Sequence, residues 1–207
     1  MKRDWNKIKW IFEPDGSLRD IYVQDISLAE WEKLIDCLNE NFSLTYANTH
    51  KIDKAEVLNY LQSTSGELER KFVTINLGGI RINCHFFLPQ QIEFDLDPKE
   101  VNSLSDFELI ETFMKKISET LQEQVTLTAE NNPEFPLFKV HTKNSINKIL
   151  TEKEAEELSG TSNAISNQLT LLWLRLKLKF FRRQFEKRLL ESAAEVHRPT
   201  TKNKNVW

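Results

Sequence analysis

Val73-Thr74-Ile75-Asn76-Leu77-Gly78-Gly79-Ile80-Arg81-Ile82-Asn83-Cys84 decides the fold. Val73, Ile75 and Leu77 alternate with polar residues, Gly78-Gly79 interrupts, and Ile80, Ile82 and Cys84 alternate back. Two strands joined by two glycines form a tight hairpin, because the favoured two-residue turns need positive φ. That loop length sets the register: Leu77 opposite Ile80, Ile75 opposite Ile82, Val73 opposite Cys84. Every apolar side chain then shares one face, while Asn76 and Arg81, and Thr74 and Asn83, pair on the other.

Downstream, Phe86 and Leu88 extend the second strand, and Ile92, Phe94 and Leu96 form a third. Ser105 and Glu108 read as a capping box for a long helix with the buried stripe Phe107, Ile110, Phe113, Met114, Ile117 and Leu121. Val125 and Leu127 read as a strand, and Leu137, Phe138 and Val140 as the last one. Upstream, Ser27 and Glu30 box a helix whose apolar face is Trp31, Leu34, Ile35, Leu38 and Phe42. Phe42, Leu44 and Tyr46 switch to period two, and Asp53 with Glu56 opens a short helix. The first 25 residues read as another hairpin, with Ile8, Trp10 and Phe12 outbound, Pro14-Asp15-Gly16 turning, and Arg19, Ile21 and Val23 returning. The fold class expected is α+β: an antiparallel or mixed sheet built from hairpins, helices packed on one face, and a C-terminal helical extension.

The chain has 207 residues, and its net charge of −3 conceals an asymmetry. Residues 1–164 carry 18 Lys/Arg against 28 Asp/Glu, a net of −10, whereas residues 165–207 carry 10 against 3, a net of +7. We therefore divide the chain into an acidic α+β domain (1–142), a helical extension with a basic amphipathic helix (143–197) and a polar tail (198–207). Thr151 to Glu154 is a further capping box, and Ala164 to His197 contains neither Gly nor Pro. Leu171, Leu174, Leu178, Phe181 and Phe185 keep the spacing of a helical seam, flanked by Trp173, Arg175, Lys177, Lys179, Arg182, Arg183, Lys187 and Arg188. Such a helix can dock on an anionic membrane surface, a nucleic-acid backbone or a partner helix's groove; the order expected is packing by its seam on its own acidic body, then self-association through residues 171–189, then a membrane surface.

Met1 to Lys7 leads into an alternating segment and not the apolar run of a secretion signal. No apolar stretch is long enough to span a bilayer. Cys37 and Cys84 are expected to be reduced and buried, which fits a cytoplasmic protein.

Glu93, Asp95 and Asp97 lie at period two on the third strand, opposite Ile92, Phe94 and Leu96. Three carboxylates in a row suit a hard divalent cation, hence a metal-dependent phosphoesterase or nuclease as the alternative function. The simpler reading is a solvated strand face whose charges discourage edge pairing. Cys84 and His85 are adjacent on a strand, so they point to opposite faces and make no joint metal or nucleophile site. The four histidines have no metal-ligand spacing, and P-loop, GxGxxG, GxSxG and HExxH patterns are absent. These features imply no cofactor or resident metal and point away from an enzyme.

Gly16-Ser17-Leu18-Arg19-Asp20-Ile21-Tyr22-Val23, Trp31 and Ile92-Glu93-Phe94-Asp95-Leu96-Asp97-Pro98 give residues 5–140 a resemblance. This body resembles the small immunity proteins encoded beside bacterial toxins. The resemblance implies a non-catalytic protein that occludes a basic toxin through an acidic surface. The residues expected to meet a protein partner are Glu93, Asp95 and Asp97 on the body, and Trp173, Arg175, Lys179, Arg182 and Arg183 on the basic helix. An acidic body disfavours nucleic acid as the partner.

Overall fold

The computed structural model describes residues 3–63 and 71–155. They belong to the larger of two compact units, Met1–Thr64 with Leu68–Glu156. Residues 171–189, including Trp173, Arg175, Lys179, Arg182 and Arg183, lie outside the described residues, as does the expected C-terminal helix.

Among the described residues, eight strands form one sheet: β1 (Arg19–Val23), β2 (Ser43–Thr45), β3 (Phe72–Leu77), β4 (Ile80–Leu88), β5 (Gln91–Leu96), β6 (Val125–Ala129), β7 (Pro136–His141) and β8 (Ile146–Ile149). Their spatial order is β2-β3-β4-β5-β1-β6-β7-β8, and every pairing is antiparallel. Among the described residues lie the helices α1 (Leu28–Asn41), α2 (Lys54–Gln62) and α3 (Leu104–Leu121).

The β3–β4 hairpin has the register that its two-residue turn dictates, from Leu77↔Ile80 to Phe72↔His85. Gly78 and Gly79 take φ of 57° and 111°, a region that L side chains avoid. Val73, Ile75, Ile82, Cys84, Phe86, Ile92, Phe94 and Leu96 are all buried on one face. On that face α1 and α3 pack their apolar stripes. Trp31 meets Phe86 edge-on at 5.7 Å between centroids, Phe113 meets Phe94 at 5.3 Å, and Phe107 meets Phe138 at 5.3 Å. Cys37 and Cys84 are free thiols within this core; burial, and then the charges of Asp95 and Glu93, raise the Cys84 pKa well above its ordinary value.

The Ser27–Glu30 capping box forms as expected: the Ala29 N–H donates to Ser27 Oγ and the Ser27 N–H to Glu30 Oε2. For α3 the cap is two residues earlier than expected. The Asp106 N–H donates to Ser103 Oγ at 3.2 Å, while the Asp106 carboxylate accepts from the Asn102 N–H at 2.9 Å. The cap is therefore Ser103 alone, and the Asp106 carboxylate holds the residue before it, so the reciprocal box expected of Ser105 and Glu108 does not form.

Two further expectations are corrected. The segment containing Ile8, Trp10 and Phe12 is not a strand but two short 3₁₀ turns, Trp5–Lys7 and Lys9–Phe12. Both edges of β1 are already occupied, by β5 and β6, so no ladder is open to it. Its carbonyls are taken instead by the buried Arg19, which donates to Ile11 O at 2.6 Å and Glu13 O at 3.0 Å. The expected boundary at residue 142 is also crossed, because β8 pairs with β7 from His141↔Ile146 to Phe138↔Ile149. The Thr151–Glu154 box does form, just beyond β8.

The α3 side also contains a buried ionic cluster. Glu111 is 7% exposed and is met by Arg3 at 2.7 Å, Lys115 at 2.5 Å and the Asn147 amide at 2.7 Å. Arg3 also sits over the Phe107 and Phe138 rings, 5.1 and 5.6 Å from their centroids. This cluster ties the N-terminus, α3 and β8 together.

Candidate functional site

Strand alternation sends every second side chain to the sheet face opposite the helices. The register there defines two cross-strand rows. One runs Thr74, Asn83, Asp95, Asp20, Thr128, and the other Phe72, His85, Glu93, Tyr22, Thr126, Lys139, Lys148. Glu93 and Asp95 are therefore on the face expected of them, but their neighbours are residues that pattern reading on β5 alone could not supply.

The first row is a hydrogen-bonded chain. Thr74 Oγ1 donates to Asn83 Oδ1 at 2.9 Å, and Asn83 Nδ2 donates to Asp95 Oδ1 at 2.8 Å. The other Asp95 oxygen bonds His85 Nε2. Directly across from Asp95 is a second carboxylate, Asp20, which is 4% exposed. Asp20 accepts from the Tyr22 hydroxyl at 2.8 Å and from the Asn131 N–H at 2.7 Å. Like charges directly opposite destabilise a sheet. Burial pushes the Asp20 pKa up, the Asn131 and Tyr22 bonds pull it down, and the Asp95 and Glu130 charges add to the rise; the balance is upward. Burial first, and then the Asp20 and Glu93 charges, likewise raise the Tyr22 phenol. Glu130, at the end of β6, accepts from the Leu18 N–H at 3.2 Å.

The three acids expected to act together are divided between different surroundings. Asp95 and Asp97 line a shallow hollow of about 250 Å³ with Thr74, Asn83, Arg81 and Glu100. In it Arg81 Nη2 and Nε bond Glu100 at 2.6 and 2.8 Å. Asp97 is also occupied as a cap, accepting from the Lys99 N–H at 3.0 Å. Glu93 lies in the other row and accepts from Gln91 Nε2 at 3.0 Å. Among the described residues, no group of three or more His, Cys, Asp or Glu side chains is placed to hold a metal ion. A second hollow, of about 420 Å³, is lined by Tyr22, Asp25, Glu123, Thr126, Glu134 and Lys139, among others.

Sequence reading missed Asp20 and His85. Asp20 follows a turn and alternates with apolar residues as any outward strand residue does, and only the β1–β5 pairing reveals that it opposes Asp95. His85 was separated correctly from Cys84, but its partner across the hairpin depends on the β4–β5 register, which the Pro89-Gln90 turn leaves open.

Among the described residues the architecture defines a class: an eight-stranded antiparallel sheet covered by helices on one face and carrying a carboxylate-rich polar face on the other. No family model, curated protein or solved structure matches this chain. Among the described residues no helix is long and apolar enough to cross a membrane.

Proposed function

We propose that this is a cytoplasmic, non-catalytic protein-binding module whose polar sheet face covers a basic protein partner, in the manner of an immunity protein. The observation that carries this reading is the Asp20–Asp95 opposition at the centre of the sheet. Asp20 is buried and Asp95 is held by Asn83 and His85, yet the two carboxylates still face each other, and that opposition keeps on this face a negative potential that a cationic surface relieves. Glu93 and Glu130 extend the same potential. Complementary charge of this kind speeds encounter and sets specificity more than it adds affinity. The metal-dependent alternative requires Glu93, Asp95 and Asp97 to converge, and their divided surroundings give it no support.

The test is capture of partners by the full-length chain, followed by elution with increasing salt. The captured proteins should be basic, elute as salt rises, and be lost by the Glu93→Gln/Asp95→Asn double variant. Anionic or neutral partners bound indifferently to salt would end this reading. A toxin gene adjacent to the coding sequence would support the immunity-like role.

A further inference from the structure

The second cross-strand row begins with an aromatic ledge. Phe72 on β3 faces His85 on β4 with centroids 5.9 Å apart and planes inclined by 36°. His85 stacks on Phe87, two residues along the same strand, at 4.7 Å and 12°. Phe72 is 51% and Phe87 40% exposed; with Leu109 they are the exposed large hydrophobics among the described residues. The ledge therefore presents ring surface that the core does not use. His85 is fixed in it by Asp95 and lies opposite Glu93, so carboxylates begin one strand away.

We propose that this ledge is the docking point for an arginine side chain of a basic protein partner. Arginine matches both halves of the surface. Its weakly hydrated, planar guanidinium stacks on aromatic faces, while its N–H fork pairs with a carboxylate. A lysine ammonium is a compact, strongly hydrated charge that exploits the carboxylates but gains less from stacking. Nucleic-acid bases also stack on exposed rings, but Glu93, Asp95 and Asp20 oppose the phosphates that would accompany them. The inference rests on the reading that this sheet face binds a basic partner, and it names where and by which side chain.

The experiment titrates the ¹⁵N-labelled full chain at low salt with hexa-arginine, hexa-lysine and a ten-residue oligothymidylate. Hexa-arginine should saturably shift the amides of Phe72, His85, Phe87, Glu93 and Asp95, and bind about three- to tenfold more tightly than hexa-lysine. Phe72→Leu, at an exposed position that folding tolerates, should remove that preference and leave hexa-lysine binding unchanged. Equal affinity for the two peptides with no response to Phe72→Leu overturns the ledge, while a shared loss in Glu93→Gln would leave the broader acidic-face reading standing. Shifts confined to other surfaces also overturn the ledge. Failure of both peptides to bind removes both readings, and oligothymidylate moving the same amides replaces the protein partner with single-stranded nucleic acid.

Discussion

The two faces of the sheet treat a buried carboxylate in opposite ways. On the helix-packed side, Glu111 is surrounded by Arg3, Lys115 and Asn147. Burial raises its pKa, but the contacts with Lys115, Asn147 and Arg3 outweigh that, and the net direction is downward. On the polar side, Asp20 receives two neutral donors and faces another carboxylate, and its pKa moves upward. Both groups are almost wholly buried, so exposure does not separate them; their neighbours do. Glu111 is met by two cations, whereas Asp20 has only neutral donors and faces Asp95, itself held by Asn83 and His85. Such a contrast marks where function is expected to reside.

Substitutions can break or sharpen this contrast. The largest effect belongs to the packed face. Phe94 is fully buried against Phe113, and Phe94→Ala should cost about 3–5 kcal/mol in urea denaturation. Glu111→Gln leaves Arg3 and Lys115 without their anion and should cost about 2–3 kcal/mol at neutral pH, less than a fully buried pair because Lys115 reaches solvent. Since the folded pKa of Glu111 lies below its ordinary value of 4.5, its contribution is present above that value and fades as pH falls through the folded one. The penalty of Glu111→Gln should therefore shrink in acid.

Asp20→Asn should have the opposite sign. The amide oxygen still accepts from Tyr22 and Asn131, while the repulsion from Asp95 disappears, a gain of up to about 1 kcal/mol at pH 7. A raised carboxyl stabilises the fold most below its unfolded pKa and loses that contribution as pH rises through the folded value. The advantage of Asp20→Asn should accordingly vanish at low pH. Denaturation series on the two variants from pH 3 to 8 should give slopes of opposite sign, and parallel slopes would erase the distinction between the faces. Phe72→Ala, on the exposed ledge, should change stability by no more than about 0.5 kcal/mol.

The parts of this fold legible in the sequence are those governed by local chemistry. The Gly78-Gly79 turn set the β3–β4 register residue by residue, and the Ser27–Glu30 and Thr151–Glu154 boxes marked helix starts. Alternation along β5 separated Glu93 and Asp95 from Ile92 and Phe94 correctly. What was not legible depended on distant pairing. Ile8, Ile11 and Phe12 are buried at a spacing that serves a helical turn as well as Ile8, Trp10 and Phe12 serve a strand, and the competition was settled by β5 and β6 claiming both edges of β1. β8 gives no strand signal of its own, because Ile146-Asn147-Lys148-Ile149 is short and half polar, as an edge strand tends to be. The candidate site was half visible: its acids could be seen on β5, but Asp20 and the His85 stack entered only through cross-strand register.

The most direct test is to neutralise Glu93 and Asp95 together, as Glu93→Gln/Asp95→Asn, and to measure hexa-arginine affinity and thermal midpoint on the same preparation. Affinity should be at least about tenfold weaker at low salt, with a midpoint within about 3 °C of the parent, far from the fall expected of Phe94→Ala. Unchanged affinity, or a midpoint that collapses as in the core variant, would contradict the proposed function: the polar face would then belong to the fold and not to a partner.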